Sequence, residues 1–486
     1  MSVSLIVSIA PIAILFVALV FLKLKAVQAA FAALLVSLAA AVFVFPEALP
    51  HAKIPGVMLE GLCFALSPIC FVVVAALFTY AVTLESGAMR AIRSGLSAVS
   101  SDKRILALLI VWGFGNFMEG MAGFGTAVAI PTALLVGIGF DPLKSVAMCL
   151  VANTTSTAFG SVGVPLVTLA KVSGVDLIPL AWMTVVLELL VMALGPILVL
   201  LVYGGMKALS GMWRTILLTQ ISFLVPWVLS ARFFGCELPD IAGGLGVMLA
   251  IVLSSGHCFS AAQFLRQLYA WAPFGFVVAI LSISALMPIE VKKWTTPGAL
   301  VLAAAFLGGL VQKISLGRLC TLLFRTIVNY RSALATICSV LMLARIMDEA
   351  GMISVIASFL VAVTGSAYPA VSTLVGAIGG FVTGSGTSSC VLFGELQADV
   401  ARALEVEPRI FAAANVMGAG IGKMICPQSI AIGAAAAALS GKESEIFRKT
   451  FPWFLVEIVA ASFAVLLVVF FWGAEDCSVK SWVCLR

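Results

Sequence analysis

Residues 3–22 carry no charged side chain, and runs of about this length with few or no charges return along the whole chain. A helix of roughly 20 apolar residues spans the hydrocarbon layer of a bilayer. Apart from a closed barrel, no other backbone form satisfies its own hydrogen bonds at that depth. This recurrence constrains the fold more than any motif does. The composition agrees: 62% of the 486 residues are apolar and 10% charged, against about 45–50% and 25% in soluble domains. The 28 basic and 22 acidic residues cannot coat a soluble globule of this size. The chain therefore reads as an all-α polytopic membrane protein. Its first run has no basic leader and ends at Lys23 and Lys25, the pattern of a retained span rather than a cleaved signal peptide.

Twelve spans are expected, near 3–22, 26–45, 61–84, 143–170, 180–203, 214–231, 238–256, 271–288, 297–312, 326–347, 409–440 and 452–473. Loops bearing Lys23 and Lys25; Arg90, Arg93, Lys103 and Arg104; Lys207 and Arg214; Arg266; Lys313, Arg318 and Arg325; and Lys442, Arg448 and Lys449 alternate with weakly charged ones. The positive-inside rule puts the basic loops in the cytoplasm and both termini outside. The 289–296 loop, with Lys292 and Lys293 beside Glu290, is assigned outside. With a net charge of +6 spread over short clusters, nucleic-acid binding has no footprint. The Cys residues show no metal-ligand spacing, and Cys63, Cys70, Cys149, Cys258 and Cys338 sit in apolar runs as packing residues.

The second half of the chain echoes the first. Glu85 and Gly87 return as Glu349 and Gly351, and Phe117 and Gly120 as Phe381 and Gly384, all 264 residues later. Asp141-Pro142 resembles Glu407-Pro408, and Asn153, Gly160 and Pro165 reappear as Asn415, Gly422 and Pro427. The loop after Glu85 is strongly basic and the one after Glu349 neutral, so the halves are expected to cross in opposite senses. Inverted repeats of this kind belong to secondary transporters. On this reading residues 1–203 form the first repeat, 204–270 connecting helices, and 271–486 the second.

Residues 105–139 and 369–396 are apolar but interrupted by Gly, Asn, Ser and Thr, and read as two re-entrant hairpins besides the spans. The segments that follow, 143–170 and 409–440, are broken at 153–156 and Gly160, and at Asn415, Gly418, Gly420 and Gly422. Both are expected to unwind mid-membrane. Backbone freed there must be buried in protein or line a wet cavity, and the half-helix N-termini aim partial positive charge at a bound anion.

The residues at these four places resemble the lactate permeases, bacterial secondary transporters of small 2-hydroxymonocarboxylates. The likeness covers nearly the whole chain: Lys23-Leu24-Lys25, Met118-Glu119-Gly120 through Gly125, Asn153-Thr154 with Phe159-Gly160, Thr383-Gly384-Ser385 with Thr387-Ser388-Ser389, Gly422-Lys423-Met424 with Pro427 to Ile432, and Gly441 to Ser444. The resemblance implies proton-coupled uptake of L-lactate, D-lactate or glycolate across the bacterial inner membrane, with periplasmic termini. It also implies a fold of the ion-transporter superfamily and an elevator-like slide of a substrate-carrying unit. The family pattern has Asp between Ser385 and Thr387, where this chain has Gly386, so one carboxylate for substrate or proton handling is missing. Met121 and Thr126-Ala127 replace Ala and Ala-Pro, and Ser156-Thr157 replaces Pro-Val, which opens the pocket to a different hydroxyacid or a larger anion.

Lys423 is the sharpest single residue, because a cation at membrane depth is costly unless it is paired or serves a ligand. Its reading is open between receiving the substrate carboxylate and a fixed ion pair or a snorkelling side chain. Glu119 stands at the repeat equivalent of Thr383, and Lys423 at that of Ser161, so each half supplies one charge of opposite sign. Glu119 is the candidate proton-coupling residue, with a backbone cap as the alternative. Asn153, Thr154 and Asn415 offer polar groups where the helices unwind; satisfying orphaned backbone is their other reading. Gly384, Ser385, Thr387, Ser388 and Ser389 present N–H and hydroxyl groups suited to a carboxylate or hydroxyl. The remaining glycines serve turns and close helix approach. Glu188 and Glu457 lie inside spans as protonatable groups, with pairing inside the bundle as the default. Glu85 and Glu349 cap or anchor span ends. Cys477 and Cys484, after the last span, suit a periplasmic disulfide.

No cofactor is required: the expected coupling ion is a proton, with Na⁺ as the alternative. His51 and His257 fall in or near loops, and the chain has no Ser–His pair, H-E-x-x-H motif or Walker A sequence. An enzyme and an ATP-driven pump are therefore excluded. The main alternative is a Na⁺-coupled or exchange carrier of another organic anion, and an anion channel is a remote one. The expected partners are a small organic anion and the lipid bilayer. Gly- and Ala-rich spans suit a homodimer as well as an intramolecular bundle.

Overall fold

The structure is a computed structural model that describes residues 3–20, 22, 24–123, 125–256, 260–286, 296–439 and 442–472. Among them every regular element is helical. Eight helices are long and apolar enough to cross a membrane: His51–Glu85, Lys103–Met121, Leu177–Gly204, Trp213–Phe233, Ala262–Ser284, Leu316–Glu349, Met352–Thr383 and Glu443–Phe471. A ninth is added if Pro408–Lys423 and Pro427–Ala436, bent by 44° at their break, count as one.

Six of these eight coincide with expected spans, and two do not. Lys103–Met121 is the leading arm of the first hairpin, while Met352–Thr383 joins the stretch after Glu349 to the leading arm of the second. Val3–Val20 and Ala26–Phe43, 18 residues each, occupy most of the expected spans 3–22 and 26–45. The expected spans 143–170, 238–256, 297–312 and 409–440 are shorter or broken apolar helices such as Pro297–Val311, and a helix of that size reaches only about 22 Å, short of a hydrocarbon layer of about 30 Å. Several basic residues expected in loops are helical: Arg266 lies within Ala261–Leu286, Arg318 and Arg325 within Leu316–Glu349, and Arg448 and Lys449 within Glu443–Trp472. These helices run past their apolar stretches, and their ends carry charges that a hydropathy reading assigns to loops. Lys23, His257, Cys258, the loop residues 287–295, and Cys477 with Cys484 lie outside the described residues.

The two longest helices form the frame. His51–Glu85 deviates from helical geometry at Ser67 (φ −136°, ψ 118°) and packs along Leu316–Glu349. Arg318 pairs with Glu85 at 2.6 Å and Arg345 with Glu60 at 3.2 Å, so the two helices run antiparallel. The same order of neighbours is met twice. Ala26–Phe43 packs between Val3–Val20 and Leu316–Glu349, and Pro297–Val311 packs between Ala261–Leu286 and Phe71–Glu85. Gly87 (φ 76°) and Gly351 (φ 72°) each start the helix after a long one in the left-handed region. Within the frame sit two helical hairpins and two broken helices. Trp213–Phe233 and Pro239–Ser254 pack on each other, and the latter also lies on the hairpin helix Gly115–Met121.

Candidate functional site

The first hairpin comprises Lys103–Met121 and Thr126–Gly137. Its turn uses Gly123 (φ 58°) and Gly125 (φ 83°), conformations that side-chain-bearing residues rarely adopt. Lys103 Nζ donates to the Gly139 carbonyl at 2.6 Å, so the hairpin ends beside where it began. Glu119, two residues before the end of the leading arm, is buried. Its Oε1 accepts from Lys423 Nζ at 2.6 Å, while its Oε2 has no hydrogen-bond partner. Both side chains of this ion pair are at least nine-tenths buried, and Lys423 is the one buried Lys or Arg among the described residues. In such surroundings neither charge is tolerable alone: removing one partner of a buried pair typically costs about 3–5 kcal/mol.

The first broken helix comprises Pro142–Ala152 and Gly160–Ser173. Asp141 caps it through the Lys144 N–H at 2.8 Å, with Pro142 in the first turn. Between the two pieces, Thr154, Thr155 and Thr157 donate their hydroxyls to the carbonyls of Val151, Ala152 and Asn153, which consumes acceptors the lost helix leaves behind. Asn153 Nδ2 and Ser156 Oγ are buried without partners. The chain re-enters helix through three left-handed residues, Ser161 (φ 47°), Val162 (φ 60°) and Gly163 (φ 76°). Val162 is a β-branched residue in a region that sterics disfavour, and strain of this kind collects at functional sites. Ser161 Oγ donates to the Ala122 carbonyl at 3.1 Å, tying the break to the hairpin turn. A Cβ on Gly160 would lie 3.1 Å from Glu119 Oε1, so the carboxylate rests on that glycine.

The second broken helix differs from expectation. Asn415, Gly418, Gly420 and Gly422 do not unwind it: all lie in the continuous helix Pro408–Lys423, and the break covers only 424–426 before Pro427–Ala436. Its glycines serve close approach. A Cβ on Gly418 would strike the Thr373 carbonyl and one on Gly422 the Ala377 carbonyl, while Gly376 and Gly380 meet Asn415 and Ala419 from the other side. This is small-residue packing between the helix and Tyr368–Thr383. Lys423 is thus the last residue of a helix rather than part of an unwound stretch, and its ammonium is taken by Glu119. Asn415, in mid-helix, donates weakly to the Ser389 carbonyl at 3.5 Å and leaves Oδ1 unpartnered.

The second hairpin, Tyr368–Thr383 and Gly386–Ala403, turns at Gly384 (φ 64°), which lies against Cys426 of the second break and Gln428 of the helix after it. Ser385 caps the return helix by accepting from the Ser388 N–H at 3.3 Å, and Ser389 Oγ donates to the Gly376 carbonyl. Thr387, Ser388 and Ser389 are buried. A Cβ on Gly386 would meet Thr157 Cγ2 at 2.5 Å, and Gly420 abuts Thr154 and Thr157, so the second hairpin and helix seat themselves on the first break. Glu119 thus meets Lys423 and Gly160, Thr157 lies against Gly386 and Gly420, and Asn415 reaches Ser389, while most of the hydroxyls at these places are spent on backbone. Phe124, within the first hairpin's turn, lies outside the described residues.

Glu188 and Glu457 are buried without a salt bridge, contrary to the expected pairing, and each has an unpartnered Oε2. Glu457 lies beside the Thr154 hydroxyl. Glu85 and Glu349 do anchor helix ends, through Arg318 and Arg345. One group escaped sequence reasoning. Asp240, fully buried in the first turn of Pro239–Ser254, accepts from Trp227 Nε1 at 3.0 Å through Oδ1 and has no partner at Oδ2. Its signal, a lone acid opening an otherwise uncharged apolar run, was hidden by its place at the edge of an expected span.

Two hairpins and two broken helices closing on a buried ion pair inside a helical frame define a polytopic membrane protein of the transport class. The L-lactate permease family model matches residues 4–295 and 276–472. The chain is 34% identical over 442 residues to the L-lactate permease of Streptococcus iniae, covering 84% of this chain and 93% of that protein. It is 30% identical over 519 residues to the glycolate permease GlcA of Escherichia coli K12, covering 92% of each. Among solved structures it is similar in fold to MtrF of Neisseria gonorrhoeae, with a TM-score of 0.52 and 13% identity over 97% of this chain and 96% of that one. The chain belongs to the L-lactate permease family, a family of permeases and not of enzymes.

Proposed function

We propose that the chain is a secondary active transporter that takes up a small 2-hydroxymonocarboxylate, L-lactate, D-lactate or glycolate, together with a proton. The observation that carries this reading is the Glu119–Lys423 pair, buried where both hairpins and both breaks meet. Lys423 offers one ammonium to two competing anions, Glu119 and a substrate carboxylate. When the substrate takes Lys423, Glu119 loses its counter-ion and must bind a proton to stay neutral in a low-dielectric site. Loaded and empty sites then carry the same net charge, and the proton and the anion move together. Asn153 Nδ2 and Ser156 Oγ, buried and unpartnered, are the groups best placed to meet the substrate's hydroxyl or second carboxylate oxygen. Thr154, Asn415, Gly384, Ser385, Thr387, Ser388 and Ser389 complete the surrounding wall. No cofactor takes part.

The finer architecture follows from the same observations. The antiparallel long helices and the doubled order of neighbours support inverted repeats over 1–203 and 271–486 joined by 204–270. The Lys103–Gly139 closure supports a re-entrant first hairpin, and an elevator-like slide of hairpins and broken helices against the frame supplies alternating access. The likeness to bacterial permeases favours a bacterial inner membrane, and the basic clusters favour periplasmic termini within it. A homodimer would brace the frame.

The test is uptake of labelled L-lactate, D-lactate and glycolate into proteoliposomes under an imposed pH gradient and then a Na⁺ gradient. Accumulation driven by the pH gradient is expected. Accumulation driven only by Na⁺ would replace the proton with a Na⁺ carrier, a reading kept in view by Gly386 where the family pattern has Asp. In Glu119→Gln, retained proton-driven accumulation would sink the role given to Glu119.

A further inference from the structure

Four carboxylates are buried among the described residues, Glu119, Glu188, Asp240 and Glu457, against the single buried cation Lys423. One is neutralised by the ion pair. The others have no buried cation beside them among the described residues, and an uncompensated buried charge costs several kcal/mol. Asp240 borders the hairpin helix that carries Glu119. Its Cβ lies 2.9 Å from where a Cβ on Gly120 would sit, so its side chain borders the residue next to Glu119. Each of these two acids has one oxygen without a partner: Glu119 Oε2 and Asp240 Oδ2.

We infer that Asp240 is a proton-binding site that hands the coupling proton to Glu119. The inference rests on the proton-symport reading above and assigns the route that the proton takes. Asp240 begins as the neutral acid. As the substrate carboxylate takes Lys423, the O–H bond at Asp240 Oδ2 breaks and an O–H bond forms at Glu119 Oε2. A proton from solvent then restores the acid at Asp240, so each O–H bond broken is matched by one formed, the net charge returns to that of the empty site, and nothing is oxidised or reduced. Trp227 Nε1 holds Asp240 Oδ1 and so leaves Oδ2 as the oxygen free to carry the proton. The indole is itself fixed by edge contact with Phe159 at the first break, 5.3 Å between ring centroids. The charged and titratable groups facing the relay are Glu119, Lys423 and Glu188, with Glu457 across the break at Thr154; Arg232, on the helix of Trp227, is exposed.

Asp240→Asn keeps an acceptor for Trp227 and removes the proton. Reconstituted wild type is first checked for alkalinisation of the medium when lactate or glycolate is added; its absence would sink the symport reading itself. Given that signal, Asp240→Asn is expected to lose about 100-fold in substrate-driven proton uptake and pH-gradient accumulation, the scale of a missing positioned proton donor, while exchange of labelled for unlabelled substrate falls less than about threefold. Asp240→Glu should restore part of the coupled flux. Wild-type accumulation in Asp240→Asn would overturn the proposal, and so would an equal loss of exchange and accumulation. If Asp240→Asn does not fold, Trp227→Phe keeps the acid and removes its hydrogen bond. The pH profile of coupled flux should then shift, and an unmoved profile overturns the relay.

Discussion

The two broken helices occupy corresponding places in the chain and solve the same problem differently. The first gives up seven residues of helix, 153–159, repairs the loss with threonine hydroxyls, and restarts through a left-handed turn. The second gives up three, 424–426, and keeps its glycines inside an intact helix pressed against Tyr368–Thr383. One half supplies polar groups on an irregular backbone, and the other delivers a charge on a rigid helix end. A glycine run in an apolar segment is thus ambiguous between unwinding and close packing. What decides is whether a second backbone lies against it.

The largest expected effect comes from the charge that the rigid half delivers. Lys423→Met leaves Glu119 buried without a cation and should cost about 3–5 kcal/mol of stability along with all uptake. Lys423→Met combined with Glu119→Gln should regain most of the melting temperature and none of the transport. Recovery of transport in the double variant would show that the pair is structural. Next come the glycines. Gly→Ala inside a helix ordinarily stabilises, yet Gly422→Ala must displace the Ala377 carbonyl and should cost about 1–3 kcal/mol, read as a lower melting temperature. A raised one would mean that the second half does unwind there. Asn153→Ala at the first break should leave stability nearly unchanged, since the amide Nδ2 has no partner to lose, and depress uptake instead.

The interface between the two halves yields a smaller effect. Gly386→Asp should be impaired by the methyl of Thr157, and Thr157→Ser, which removes that methyl, should rescue it in the double variant; an equally impaired double variant would rule out this clash. The smallest effect concerns how the hairpins begin. The first is capped by Asp102, which accepts from the Arg104 N–H at 2.8 Å, whereas the second starts at Ala367 with no side-chain cap. Asp102→Ala should cost about 1 kcal/mol at neutral pH. The Arg104 guanidinium beside Asp102 holds its carboxyl below the usual carboxylate range. That contribution is therefore present above the ordinary carboxylate pKa and lost as pH falls through the depressed value, so thermal melts of variant and wild type should converge in acid.

Much of this was legible beforehand. Long uncharged runs declare the membrane, and the polar stretch at 153–157 declares the first break, because an unpaired backbone in hydrocarbon needs hydroxyls or amides nearby. Glu119 and Lys423 could be recognised as opposite charges contributed by the two halves. Their direct pairing could not, since it depends on residues 304 positions apart meeting across the junction. Helix ends were misjudged wherever a helix outruns its apolar stretch, as at Arg318 and Arg448. Asp240 was missed because its local signal, a lone acid, sits at the edge of an expected span, and its packing on Gly120 leaves no trace in the sequence around it.

The two ion pairs that clasp the long helices have a mechanical consequence. Glu60–Arg345 and Glu85–Arg318 are separated by about 25 residues, roughly 38 Å of helix, close to the full depth of a bilayer with its headgroups, about 40–45 Å. Together they act as a calliper set to one membrane thickness. In lipids with longer tails the charged jaws would be drawn toward oil and the frame would have to tilt or yield, so the choice of acyl chain becomes a control on how freely the carrier works.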